Sequence, residues 1–270
     1  MMARWGGWAA LALLAAGTVH ADGDYLSPTE DRVRISLGLV RDTASTSVQV
    51  DSSTGTPGDD INAESVFGLD PHKFEPKFEA MVRAGERHRL WFDYFELDRT
   101  GNAVLTAPLL FKDAILFQGD PVQSELGLRA LGITYGYSIL HTSRYEIAAT
   151  FGVESTDLLA TARVETQTRH IYESENQAGP FPVFGAAATW VASSRFYFDG
   201  RARYFRVNVD QLDGSLGLYE IDALYRLRPN VSFALGYSEV RASLASNQRS
   251  QAGFFDLTTK GPQFFVRVAF

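Results

Sequence analysis

Apolar and polar residues alternate with a period of two along much of this chain. In RYEIAATFGVE, residues 144–154, one face carries Tyr145, Ile147, Ala149, Phe151 and Val153, and the other carries small or charged residues. The same alternation recurs in LGITYGYSI at 131–139 and in VSFALGYS at 231–238. Successive side chains of a strand point to opposite faces, so this period is typical of β-strands. Segments with a helical period are hard to find, and the pattern therefore predicts an all-β protein.

Short and long connections alternate between the predicted strands. Tight turns are predicted at 85–86, 142–143, 193–194 and 229–230, and polar connections at 51–72, 99–122, 156–180, 209–215 and 243–252. The strands between them are predicted at 32–50, 73–84, 88–98, 123–140, 145–155, 181–192, 195–208, 216–227, 231–242 and 254–270. This count gives about ten antiparallel strands, with eight or twelve as alternatives. The segment 105–119 either extends its flanking strands or forms an extra hairpin.

The apolar faces of these strands are aromatic and about ten residues long, which suits a lipid solvent. A tilted strand needs roughly 9 to 11 residues to cross the hydrocarbon layer, and its other face is free to be polar when it looks into a barrel. Aromatic residues such as Trp91, Tyr145, Trp190 and Phe196 gather near predicted strand ends, as expected for an interfacial girdle. The alternation therefore predicts a transmembrane barrel.

The last ten residues, GPQFFVRVAF, form an alternating strand that ends on an aromatic residue. In hydrocarbon every backbone N–H and C=O group must be paired, so strands span a membrane only as a closed sheet. We therefore expect the last strand to pair with the first. The predicted lipid-facing residues of this strand are Phe264, Val266, Val268 and Phe270, whereas Arg267 faces inward.

The N-terminus has the pattern of a secretory signal. Arg4 precedes an apolar stretch from Trp8 to Ala16, and Val19-His20-Ala21 fits a small-x-Ala cleavage site. We predict a signal peptide at 1–21 and a single barrel domain at 22–270. Removal of Arg4 leaves 24 basic against 32 acidic residues, a net charge of −8, which argues against nucleic acid as a partner. The chain has no cysteine, which excludes disulfides and thiolate sites.

These features together resemble a bacterial, Gram-negative outer-membrane β-barrel protein of the small-barrel type. The resemblance covers the whole predicted mature chain. It implies residence in the bacterial outer membrane, periplasmic tight turns and cell-surface long loops. It further implies that Phe264, Val266, Val268 and Phe270 act as the insertion signal read by the barrel-assembly machinery. Periplasmic chaperones, outer-membrane lipid and lipopolysaccharide are the other implied partners, and a monomer is the favoured state.

Charged residues fall on the predicted inner face of the barrel. They are Arg34, Glu79, Arg83, Asp93, Glu146, Glu154, Asp199, Arg201, Arg203, Glu220, Asp222, Arg226 and Arg267. A barrel of eight to ten strands is barely wider inside than its side chains, so this near-balanced set is interpreted first as a network that fills the lumen. The alternative is a narrow conduit, with its constriction where Arg201 and Arg203 face Glu220 and Asp222.

Three functions stay open on the sequence. A structural or surface-interaction role, or narrow passage through the lumen, is the main hypothesis, and a small-solute channel is the alternative. A lipid hydrolase is the third, because His141 and Ser143 resemble the His-x-Ser pairs of outer-membrane phospholipase and lipid A deacylase. Glu146 would orient His141, yet no Asn follows at the spacing of those families. We expect no enzyme activity, no cofactor and no metal, since His72, His88 and His170 are scattered.

The two most polar connections are predicted to be solvated surface. They are DSSTGTPGDDINAE at 51–64 and ETQTRHIYESENQ at 165–177. The functional alternative is contact with divalent cations, lipopolysaccharide or an external partner.

Overall fold

The computed structural model describes residues 27–52, 54–111, 114–165, 170–209, 212–246 and 252–270, so the predicted signal peptide at 1–21 lies outside the described residues. The elements in chain order are β1 (Val33–Val50), β2 (Ile61–Asn62), α1 (Ala63–Val66), β3 (His72–Ala84), β4 (His88–Val104), β5 (Leu109–Phe111), β6 (Ala114–Leu116), β7 (Pro121–His141), β8 (Tyr145–Glu165), β9 (His170–Val191), β10 (Phe196–Val209), β11 (Leu212–Arg228), β12 (Val231–Ser246) and β13 (Gly253–Ala269). Within the described ranges, no helix is long and apolar enough to cross a membrane.

The ten long strands form a closed antiparallel ring. Each pairs with the long strand before and after it in the chain, and β13 also pairs with β1. Leu37 lies opposite Val266, and Leu39 lies opposite Phe264. The terminal residue is held by backbone bonds, because the Phe270 carbonyl accepts from the N–H groups of Arg32 and Val33 at 2.6 and 3.0 Å. The predicted all-β, up-and-down, ten-strand transmembrane barrel is thus confirmed.

One alternative for the segment 105–119 is confirmed, and one predicted connection is corrected. The segment forms an extra hairpin of β5 and β6, but this hairpin lies outside the ring and does not raise the strand count to twelve. The predicted connection 156–180 is largely strand: β8 continues to Glu165, and β9 begins at His170. Pairing persists there from Ser155 opposite Pro180 to Glu165 opposite His170. The segment is rich in polar residues and therefore has the composition of a loop, but backbone pairing between strands does not require apolar side chains.

The lower half of the wall, next to the tight turns, is apolar outside. Leu235 and Ile221 are 66% and 64% exposed, an arrangement that is stable only where hydrocarbon covers the surface. This apolar belt ends where the outward positions become polar, namely at Arg41, Glu96, Arg129, Ser155, Arg206, Glu239 and Lys260. Those positions mark the upper limit of the membrane-spanning segments.

Above the belt, apolar side chains of the wall face the interior and polar side chains face outward. Leu97, Leu128 and Leu257 are buried inside the ring, where they pack with Ile61 and Phe67 from the connection between β1 and β3. Strands β7, β8 and β9 have 21, 21 and 22 residues, about twice the 9 to 11 that span a bilayer. Their upper halves therefore stand in water and enclose an apolar core, as in a water-soluble domain.

Candidate functional site: a sealed lumen beneath an apolar cap

Arg201 and Arg203 on β10 cross the lumen to reach the opposite wall. Nη2 of Arg201 lies 2.6 Å from Oε2 of Glu79 and 2.7 Å from Oδ1 of Asp93. Nη1 of Arg203 lies 3.0 Å from Oδ2 of Asp93 and 3.3 Å from Oε2 of Glu154. Glu79 and Asp93 belong to β3 and β4, across the ring from β10, whereas Glu154 belongs to β8, two strands away. These contacts therefore tie opposite sides of the ring together. The two guanidinium groups fill the axis of the barrel.

Glu146 forms a second cluster nearer the turns. Its carboxylate accepts two bonds from Arg83, at 2.7 and 2.8 Å, and one from Oγ of Ser138 at 2.5 Å. Arg89 lies 3.1 Å away. Three of the four acceptor directions of the carboxylate are thus used by hydrogen bonds, and a second guanidinium lies within ion-pair distance. Glu146 is therefore a structural anion held between two arginines.

A third cluster joins the first and last strands. Arg267 on β13 donates to Oγ of Ser36 on β1 at 3.0 Å and lies 3.4 Å from Oε1 of Glu79. It also pairs with Asp199, and Asp199 lies 3.5 Å from Arg34. These contacts reinforce the seam at which the ring closes.

The structure places every predicted lumen residue inside the ring. Eleven of the thirteen are 9% exposed or less, and the side chains of Asp199 and Glu220 are 14% and 13% exposed. The predicted constriction is present in part, because Arg201 lies 3.3 Å from Glu220 whereas Asp222 accepts a 2.5 Å bond from Gln263. Arg226 stacks over the ring of Tyr197 at 5.8 Å. We call this set, together with Lys77 and Arg89, the lumen network.

Lys77 and Arg89 are the functional residues that the sequence interpretation missed. Nζ of Lys77 lies 2.8 Å from Oε2 of Glu220, and it donates to Gln263 at 2.8 Å. Lys77 stands two positions before the predicted inward residue Glu79, and Arg89 stands four positions before Asp93, so continuing the period-two pattern would have found both. Trp91 was predicted for the interfacial girdle, but it points inward and is 4% exposed.

The lumen network leaves little free space. The cavity bordered by Arg34, Glu79, Arg89 and Arg201 has a volume of about 30 Å³. That volume holds only one or two waters. Paired charged side chains therefore occupy the lumen at this height, where an ion or solute would have to pass.

A cap closes the barrel above this network. We define it as residues 54–71, 105–111 and 114–120. Phe67 and Phe111 contact each other edge to face at 5.9 Å, inside a buried cluster with Leu97, Leu105 and Leu116. These side chains lie in the mouth of the ring and exclude water from it.

Arg99 on the inner wall fastens the cap. Its guanidinium lies 2.6 Å from Oε1 of Glu64 and donates to Oγ1 of Thr46 and the Asp70 carbonyl at 2.9 and 2.8 Å. Gly68 adopts φ +67°, and a Cβ there would lie 2.8 Å from the Asn102 carbonyl oxygen. That close turn brings the connection back against β4. The cap is thus a folded element. Within the predicted solvated connection 51–64, residues 54–57, 59, 60 and 62 are exposed as expected, whereas Ile61 and Ala63 are buried in the apolar cluster.

The proposed hydrolase pair is not assembled. Among the described residues, His141 and Ser143 share no hydrogen bond, and the Ser143 carbonyl accepts from Oγ of Ser27 at 2.6 Å. Nδ1 of His141 lies 3.4 Å from Glu146, whose oxygens are already taken. His72 contacts Thr43, His88 contacts Tyr135, and the His170 side chain lies outside the described residues.

No protein-family model matches the chain, and no curated protein matches it. Solved structures do match. The outer membrane protease OmpT from Escherichia coli has a TM-score of 0.58 at 11% identity, over 90% of this chain and 100% of that one. The transport unit of the autotransporter AIDA-I from Escherichia coli has a TM-score of 0.43 at 8% identity, over 89% of this chain and 91% of that one. Ail from Yersinia pestis has a TM-score of 0.36 at 9% identity, over 88% and 99%.

Of these three, OmpT has a TM-score above 0.5, and at such low identity the likeness concerns the fold alone. It agrees with the closed antiparallel ring of this chain. The chain therefore has the fold of the bacterial outer-membrane β-barrel proteins.

Proposed function

We propose that this protein resides in the bacterial outer membrane as a barrel closed to solutes, and that it acts through its capped end as a surface-interaction platform. The observation that supports this proposal is the double seal of the interior. Paired charges fill the lumen at belt height, and an apolar cluster fills the mouth above it.

A channel function would require both seals to open. Breaking a buried ion pair by removing one partner costs about 3–5 kcal/mol, because the other charge is left uncompensated. Arg201 and Arg203 each pair with several carboxylates, so thermal motion opens the network rarely. Passage through the lumen is therefore the weaker hypothesis.

The cap offers a surface suited to recognition. A cleft of about 220 Å³ lies between the two connections that build it, and its lining includes Asp59, Asp60, Ala103, Val104 and Pro108. Val104 is 62% exposed, although it lies far above the apolar belt. Apolar surface exposed to water beside charged groups is typical of interaction sites.

Conductance tests the proposal directly. The refolded protein is inserted into planar bilayers and compared with Arg201→Ser and with a variant that lacks residues 54–68. We expect no discrete current from the wild type or from the cap deletion, because the lumen network remains in both. Discrete steps in the wild type whose size changes in Arg201→Ser would establish a channel instead.

A further inference from the structure

The inward charged residues next to the tight turns are unequal in number. Among the residues that the structure describes, five cations and three anions lie within four positions of the turn-side strand ends or directly before β1. They are the cations Arg34, Arg83, Arg89, Arg226 and Arg267 and the anions Asp31, Glu146 and Asp199. His141, which lies 3.4 Å from Glu146, is neutral or positive and adds no negative charge. The turn-side end of the lumen therefore has a surplus of positive charge.

Arg89 is the cation of this group with the fewest partners. Its guanidinium lies 3.1 Å from Glu146, but that carboxylate already accepts two bonds from Arg83. Within the described ranges, Nε and Nη2 of Arg89 have no hydrogen-bond partner, although the side chain is only 1% exposed. A buried charged donor without a partner has lost its hydration and gained nothing in return. Arg89 therefore needs an acceptor that the neighbouring side chains do not supply.

The cavity of about 30 Å³ in the lumen is bordered by Arg89 and Arg201. Nη1 of Arg201 likewise has no partner in the described part of the chain. Three other carboxylates that border the cavity already accept hydrogen bonds from Arg201 or Gln263, namely Glu79, Glu220 and Asp222. Among the described residues around the cavity, Oδ1 of Asp199 is the one acceptor without a partner, against three such nitrogen atoms. Donors therefore outnumber acceptors here.

The guanidinium of Arg89 is held in a fixed position. It stacks over the ring of Trp91, 4.7 Å from the ring centroid, in a cation–π contact. Trp91 and Arg267 also border the cavity. The N–H groups of Arg89 are thus presented beside the cavity by a packed side chain.

We propose that this cavity binds one chloride ion, held by the N–H groups of Arg89 and Arg201. A water molecule both donates and accepts hydrogen bonds, whereas a halide ion only accepts them, so the halide matches the excess of donors. Its charge also offsets the surplus of positive charge near the turns, and this attraction is stronger in the interior than in water. A cavity with room for one or two waters admits a monatomic ion and excludes larger anions. The bound ion completes the lumen network and leaves the lumen closed.

Anomalous diffraction tests the site directly. The wild-type protein is crystallised from detergent with sodium bromide in place of sodium chloride, and the anomalous signal of bromide is measured at its absorption edge. We expect a peak in contact with Nε or Nη2 of Arg89. Density at this place without an anomalous signal would mean water only and would overturn the proposal.

The stability of the refolded protein gives a second measurement. Urea unfolding in lipid vesicles is followed while gluconate, which is too large for the cavity, is replaced by chloride at constant ionic strength. Chloride at about ten times its dissociation constant should lower the unfolding equilibrium constant about tenfold, because it binds the folded chain and not the unfolded one. Identical unfolding at every ratio of the two salts would contradict a bound ion.

Two variants of Arg89 separate the site from a general effect of salt. Arg89→Gln should abolish the dependence on chloride, whereas Arg89→Lys keeps a cation at the site and should retain part of it. Arg87→Gln is the matched control, since Arg87 is exposed in the adjacent turn, and it should keep the full dependence. An equal chloride effect in wild type and Arg89→Gln would overturn the proposal. The bromide measurement uses the wild type, so it decides the question even when Arg89→Gln fails to refold.

Discussion

Arg201 is the side chain on which the lumen network depends most. It contacts Glu79, Asp93 and Glu220 at once. Arg201→Met would leave these carboxylates without their shared cation, and we expect it to lower the free energy of unfolding by about 3–5 kcal/mol. Urea unfolding in lipid vesicles measures the loss.

A matched arginine outside the lumen is the control for that variant. Arg206 lies 3.2 Å from Asp213, but both side chains are largely exposed. Exposed pairs contribute about 1 kcal/mol or less, so Arg206→Met should change little. Similar losses in both variants would contradict a special role for the lumen.

Asp42 lies just above the belt, buried inside the ring. Burial raises the pKa of this carboxyl from 3.8 to about 6, although Lys77 lowers it in part. The folded chain thus holds the proton more tightly than the unfolded chain does. Ionisation of Asp42 therefore lowers the stability of the folded state. This loss of stability is absent below about pH 4, where Asp42 is protonated in both the folded and the unfolded chain, and it is complete above about pH 6.

Asp42→Asn should therefore stabilise the protein at pH 7.5 by about 2–3 kcal/mol, and the gain should vanish by about pH 4. Unfolding midpoints of wild type and variant between pH 4 and pH 8 measure this dependence. The exposed Asp157→Asn controls for a charge change at the surface. A gain that is the same at every pH would show that titration of Asp42 is not its cause.

At the scale of elements, the cap is predicted to unfold apart from the barrel beneath it. Phe67 is 4% exposed in the apolar cluster, and Phe67→Ala should destabilise that cluster by about 3–5 kcal/mol. We expect faster hydrogen exchange in 61–70, while the belt strands keep their protection. Val104→Ala, a change at an exposed position of β4 next to the cap, is the control. Uniform loss of protection would show that cap and barrel unfold together.

The C-terminal strand carries the predicted insertion signal of Phe264, Val266, Val268 and Phe270, all of which the structure places in β13 or directly after it. Phe270→Ala keeps the backbone bonds to Arg32 and Val33, so refolding in vitro should be unaffected. We expect the folded fraction in cell envelopes to fall severalfold if assembly machinery reads this residue. Heat-dependent migration on gels measures it, with Leu227→Ala as the control, because Leu227 also points outward near the turns.

At the scale of the whole molecule, the two rims should face different compartments. The chain has no cysteine, so single-cysteine variants report one position each. A membrane-impermeant maleimide should label Val104→Cys in intact cells, because the cap stands above the belt. Ser143→Cys, in a tight turn, should react only after the outer membrane is permeabilised. The reverse order of labelling would invert the proposed orientation.

Alternation alone predicted the strand class, the closure of β13 on β1 and the inward direction of residues such as Arg201 and Glu79. A strand has a period of two whatever surrounds it, and hydrocarbon requires a closed sheet. The order of residues within each strand was therefore enough to predict these features. The same logic was not carried through to every inward position, so Lys77, Arg89 and Asp42 were missed, although all three lie within predicted strands.

Tertiary structure decided what the alternation left open. Above the belt the polarity inverts, so Leu97 and Leu257 meet Phe67 in a core that no single strand displays. The small outward residues Ala188 on β9 and Gly200 on β10 likewise lie side by side only because the register of the two strands sets them opposite each other. Contacts between residues distant in the chain depend on the register between strands and on how a connection folds back onto the barrel. The pattern within one strand encodes neither.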